Sequence, residues 1–188
     1  GLRIAMTQAR WPGWSAARTL VLPVPAEAWA PPVAGATLEG VAFEPKHELH
    51  VTLVGGALGR ELHAVLDARV VEQVSRAAFE SQDWSFVRHG HWLLLRKQAG
   101  GEGRPRVFHS IIECLEMPAM APFHAALGAL LSRELAVPPP HVTLFTAGKA
   151  EGIGVASKRH LRAYAMREIA YGELMKRAEV AGSPPSRG

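Results

Sequence analysis

Cysteine is nearly absent. Cys114 is the single copy in 188 residues, which excludes an intrachain disulfide. Its setting in the apolar run Ile111-Ile112-Glu113-Cys114-Leu115 marks it as a small buried hydrophobe rather than a nucleophile. Long apolar stretches are missing too, since no run approaches the ~20 residues of a membrane span. The first residues hold no basic region followed by an apolar stretch and a cleavage site. No signal peptide is therefore expected, and the reducing cytoplasm is the expected compartment. A large excess of one charge is likewise missing. Lys and Arg number 21 and Asp and Glu 17, a net charge of +4 with a pI of about 9.6. That mild positive balance suits anionic ligands such as nucleotides or RNA and excludes little.

What is present is core-forming material: 48% of residues are apolar and 20% charged. A chain of this length lies near the upper end of a single domain, where roughly 70% of the unfolded surface can be buried. The most informative feature is a repeat. His50-Val51-Thr52-Leu53 and His141-Val142-Thr143-Leu144 are the same four residues, 91 positions apart. Side chains alternate faces along a strand, so each segment presents a His and a Thr together, with Val and Leu toward a core. Two imidazoles can divide the work of base and acid, and two hydroxyls can hold the oxygens of an anion.

The surrounding pattern places these segments on strands. Thr19 to Leu22 reads as a short buried strand, and the Ala- and Pro-rich stretch from Pro25 to Gly40 as a loop. Leu49 to Val54 is a strand stopped by Gly55-Gly56. Apolar residues at helical spacing predict one amphipathic helix over roughly 61–79. Trp84 to Val87 and His91 to Arg96 read as two strands around Gly90, and Val107 to Leu115 as a third that closes a hairpin. Phe123, Leu127, Leu130, Leu131 and Leu135 form a helix face beginning near Pro122. Pro138-Pro139-Pro140 stops that helix and leads into a strand over His141 to Thr146. Tyr164 to Ile169 reads as a last strand.

On its two His-Val-Thr-Leu segments, with Pro-Pro-Pro before the second, the chain resembles the 2H phosphoesterase superfamily over about residues 18–170. The bacterial RNA 2′,3′-cyclic phosphodiesterases, also named 2′-5′ RNA ligases, are one branch. This chain departs from that branch at the lead-in to the first motif, which reads Glu44-Pro45-Lys46-His47-Glu48-Leu49 and is not arginine-rich. The resemblance implies an α+β fold: a duplicated, bilobal unit with two antiparallel sheets facing a central cleft and helices on the outside. It implies metal-independent chemistry, without cofactor, on 2′,3′-cyclic phosphates or 2′-5′ phosphodiester linkages of RNA or nucleotides. His50 and His141 are the expected catalytic pair, and Thr52 and Thr143 the expected phosphate ligands. A non-catalytic module that binds a nucleotide or an RNA end in the same pocket is the alternative. Residues 1–17 are expected to be irregular, 18–180 to form the domain, and 181–188 to be a disordered tail. A monomer without membrane contact is expected.

Other residues carry weaker signals. Phe145, two after Thr143, is a candidate for stacking a base, with core packing as the competing reading. His47, His89 and His91 could suggest metal ligands, but no supporting Cys or Asp cluster accompanies them, so solvated loops are expected. His109 and Glu113 share a strand face that could line the cleft or face solvent. Gly152-Ile153-Gly154 reads as a turn rather than a dinucleotide fingerprint. Lys158-Arg159-His160 reads as a solvated charge run, and Trp92 as core.

Overall fold

The computed structural model describes residues 1–29, 35–100, 103, 105–170 and 173. The expected tail at 181–188 lies outside the described residues. Nine strands are seen among the described ones: β1 (Leu2–Ile4), β2 (Leu20–Pro23), β3 (Ala36–Leu38), β4 (Val41–Pro45), β5 (His50–Val54), β6 (Phe86–Ala99), β7 (Arg106–Glu116), β8 (His141–Ala147) and β9 (Ala165–Ile169). The helices are α1 (Gly56–Val65), α2 (Ala68–Glu80), α3 (Met120–Leu131) and α4 (Lys158–Tyr164). The class is α+β with two antiparallel sheets. In the larger, seven-stranded sheet, β6, β7, β8, β4 and β3 are successive neighbours, and β1 and β9 both pair with the free side of β6. The smaller sheet is β2 with β5 alone. The two sheets are therefore unequal in size.

Several local expectations shift, each for a physical reason. The helix expected over 61–79 is two helices. Asp67 interrupts it and caps α2 by accepting a hydrogen bond from the Arg69 N–H at 2.8 Å. The two strands expected around Gly90 are one strand, β6. Its pairing with β7 steps from Arg88↔Leu115 to His91↔Cys114, leaving His89 and Gly90 as a bulge. Gly90 takes φ +73°, which a side chain would oppose. Within the expected loop from Pro25 to Gly40, Ala36–Leu38 forms an edge strand on β4. Within the expected irregular start, Leu2–Ile4 pairs with β6.

One main core spans both sheets. Leu20, Leu22, Val51, Leu53 and Val54 of the small sheet pack with Val142, Leu144 and Phe145 of the large one and with Leu62, Phe79, Phe123 and Leu127 of α1, α2 and α3. This burial orients the motif strands. Turning either strand over would expose a Val and a Leu that are now buried, at a cost of about 3–6 kcal/mol per strand. The His and Thr of each motif are therefore held on the face away from this core. A second, smaller cluster covers part of that other face: Ile153 and Val155 fold over Leu95, Phe108 and Ile112. No helix among the described residues is long and apolar enough to cross a membrane.

Candidate active site

The four motif residues come to one region. β5 and β8 touch without being hydrogen-bonded neighbours, each lying in its own sheet. His50 and His141 are close enough for the charge of one to lower the pKa of the other. His50, Thr52, His141 and Thr143 are all half-buried, while Val51, Leu53, Val142 and Leu144 are buried.

The likeness of the two strands goes beyond sequence. On β5 the pairing with β2 steps from Val21↔Thr52 to Leu20↔Val54, so Leu53 is an extra, unpaired residue. On β8 the pairing with β7 steps from Ile112↔Thr143 to Ile111↔Phe145, so Leu144 is extra. Both strands are bulged at the same motif position. A bulge breaks alternation, and two successive side chains then turn to one face. Leu53 with Val54, and Leu144 with Phe145, accordingly enter the core together. This corrects the expectation for Phe145: its ring is fully buried and has no face to offer a base.

A bulged residue also leaves a carbonyl without a ladder partner. The Leu144 carbonyl accepts from the Lys46 backbone N–H at 2.8 Å. The Leu53 carbonyl accepts from Nε2 of His124, on α3, at 2.7 Å. His124 was missed at the level of sequence. The signal was there: Met120, Phe123, His124 and Leu127 follow helix spacing, and a polar residue in a buried stripe needs a partner.

The electrostatics favour neutral imidazoles in the free protein. Burial holds His50 below the usual histidine range, the charge of Lys46 lowers it further, and Glu48 opposes both. Burial also lowers His141, with its hydrogen bond to the Pro139 carbonyl working the other way and the His50 charge adding to the lowering. That bond fixes the tautomer. Nδ1 of His141 donates to the Pro139 carbonyl at 2.8 Å, so in the neutral ring Nε2 carries the free lone pair.

Gly152 touches Thr143. A Cβ at Gly152 would stand 2.7 Å from Thr143 Oγ1 and 3.3 Å from both Cβ and Cγ2. The turn expected at Gly152-Ile153-Gly154 is thus a wall of the site, pinned by Ile153 in the small cluster. A groove of about 530 Å³ lies alongside. Glu44, Lys46, His47 and Glu48 line one side and Thr146 to Ala150 the other. Its walls lead into both motif strands but include none of the four motif residues.

The remaining candidates lie elsewhere. Glu113 is fully buried on the core face. Arg88 grips it through Nε at 2.7 Å and Nη2 at 2.8 Å, and Trp92 Nε1 donates to it at 2.6 Å. It neither lines the cleft nor faces solvent, because its register partner on β8 is Val142 rather than a motif residue. His109 shares that side of β7 and lies half-buried, edge-on to Phe43. His89 and His91 are exposed, against Glu116 and Glu168 respectively. His47 and Lys158-Arg159-His160 are exposed, and Trp92 is core. Cys114 is half-buried rather than buried, opposite His141 in the register, and burial raises its pKa. Among the described residues no group of three or more His, Cys, Asp or Glu could hold a metal ion. No family model, no curated protein and no solved structure matches the chain.

Proposed function

We propose that the protein is a 2H-type phosphoesterase that acts, without metal, on 2′,3′-cyclic phosphate or 2′-5′ phosphodiester linkages of RNA or nucleotides. The observation that carries the reading is the pair of His-Val-Thr-Leu strands with one shared bulge, bringing His50 within electrostatic reach of His141. In hydrolysis of a cyclic phosphate, Nε2 of neutral His141 suits the base that takes a proton from the attacking water. The new P–O bond forms as the bond to one ribose oxygen breaks. That oxygen takes its proton from His50, whose protonated form is favoured by Glu48 and by an arriving phosphate anion. The Thr52 and Thr143 hydroxyls stabilise charge on the non-bridging oxygens.

A non-catalytic binding module is the second reading. It is favoured by one observation, that both imidazoles are lowered in the free protein, whereas acid–base catalysis needs one protonated. The deciding experiment is a turnover panel of 2′,3′-cyclic mononucleotides, cyclic-phosphate-ended RNA and 2′-5′ dinucleotides, with EDTA present. Turnover in EDTA supports the enzyme. Binding of these ligands without turnover selects the module, and activity lost to EDTA and restored by one divalent ion rejects the metal-independent mechanism.

A further inference from the structure

We infer that His124, remote in sequence from both motifs, is a positioning residue that fixes the first motif strand in its working geometry. The inference rests on the reading of His50 and Thr52 as site residues.

The argument begins with the two bulges. Each motif strand must keep His and Thr on one face yet send the next two residues into the core, and a bulge at the Leu achieves this. The stranded carbonyl is then a liability in an apolar interior, because an unpaired buried acceptor costs about 1–3 kcal/mol. At Leu144 the fold solves this with backbone, through the Lys46 N–H at the end of β4. At Leu53 no strand among the described residues is available on that side, since β5 belongs to a sheet of two. A side chain reaches in instead: Nε2 of His124 at 2.7 Å.

The chemistry of that contact is determined. A carbonyl can only accept, so Nε2 carries the hydrogen and Nδ1 is bare in the neutral ring. Nδ1 is buried and has no hydrogen-bond partner, and the residue is 1% exposed. An imidazole in that state has given up one hydrogen bond to make the other. The bond it makes falls on the Leu53–Val54 peptide, one residue downstream of the proposed phosphate ligand Thr52. A shift of that peptide is passed through the Leu53 backbone to Thr52 and its hydroxyl, and displacements of about 1 Å can cost 10²-fold in rate. His124 touches no substrate in this scheme. It acts through Leu53.

The test compares variants by reach. His124→Gln can place an amide N–H near the position of Nε2, whereas His124→Asn carries the same group on a shorter arm that cannot reach the Leu53 carbonyl. His124→Leu removes the donor and keeps an apolar filling. We expect Gln to retain kcat within about threefold of the parent, and Asn and Leu to lose about tenfold or more in kcat with KM changed less than twofold. In NMR spectra the Thr52 methyl and His50 ring resonances should move in Asn and Leu and return in Gln, while those of Thr143 and His141 stay in place. Equal behaviour of folded Gln and Asn variants, or unmoved Thr52 and His50 resonances in Asn, overturns the inference. The Gln–Asn comparison holds even where Leu fails to fold. If the parent protein turns over none of the panel, the proposed activity falls, and the resonances alone still decide whether His124 positions the strand.

Discussion

The first motif strand lies in a sheet of two, the second in a sheet of seven. β8 is bordered by β7 along its length and by β4 at its far end, and its neighbour Gly152 presses on Thr143. β5 has one hydrogen-bonded neighbour, β2, and is held on its other side by packing and by His124. The same tetrapeptide thus reaches the same local shape in two different settings. Shape at the site is set by the motif and its bulge. Rigidity is supplied by whatever neighbours are available, backbone on one side and a side chain on the other.

The sharpest way to break this comparison is to remove each imidazole in turn. His50→Ala and His141→Ala should each lower kcat/KM by about 10²–10⁴-fold, with circular dichroism unchanged, because neither side chain belongs to the core. The double variant should be little worse than either single one, since both groups serve one step. A near-parental rate in one single variant would mean that the two strands are alike in form only. Next come the hydroxyls. Thr52→Ala and Thr143→Ala should each cost about 10²-fold in kcat and leave both limbs of the pH profile where they were.

Gly152→Ala tests the difference between the strands. The new methyl must displace Thr143, so kcat should fall about tenfold with the Thr143 methyl resonance shifted and that of Thr52 unmoved. A rate equal to the parent's would remove the wall from the site. A further measurement concerns pH. The profile of kcat/KM reports the free protein, in which both imidazoles are lowered. The mixed state with one proton on the pair should therefore peak on the acid side of ~6.5, the ordinary histidine value. The profile of kcat should peak at higher pH, because bound phosphate favours the protonated form. Coincident maxima above pH 7 would contradict the burial argument.

The smallest effect is on stability. His124 and His141 are both held below the ordinary histidine range by burial, so the folded state binds fewer protons than the unfolded one. Their contribution is full above ~6.5 and is lost as pH falls through the lowered folded values. Thermal midpoints should decline from pH 7 to pH 5, and His124→Gln should flatten that decline. An unchanged slope in this variant would show that His124 does not contribute.

The class of fold and the position of the motif strands were legible in sequence because period-two patterning and proline punctuation act locally. Phe145 was misjudged because strict alternation was carried across Thr143, where the bulge ends it. The clue was the adjacent apolar pair in both motifs, Leu53-Val54 and Leu144-Phe145, which no uninterrupted strand would bury on one face. Glu113 looked solvent-facing because its partner Arg88 is 25 residues away on another strand, and register decides which face they share. The split at Asp67 was readable as a cap and was overridden by the continuous helical period. The Gly152 contact had no sequence signal beyond the glycine itself.

The pairing of β4 carries one more consequence, for how the chain is made. β4 takes its large-sheet neighbour from β8, so Glu44 waits for Thr146 and Pro45 for Phe145. A chain leaving the ribosome N-terminus first can close β6 on β7 as a hairpin soon after both emerge. β4 has by then been outside for some time with one edge open. Translation halted before residue 141 would release a polypeptide with that edge unpaired, a template for pairing with another chain. The first histidine strand, which follows β4 directly, can pair with β2 as soon as it emerges, so it is β4 that is synthesised early and completed late.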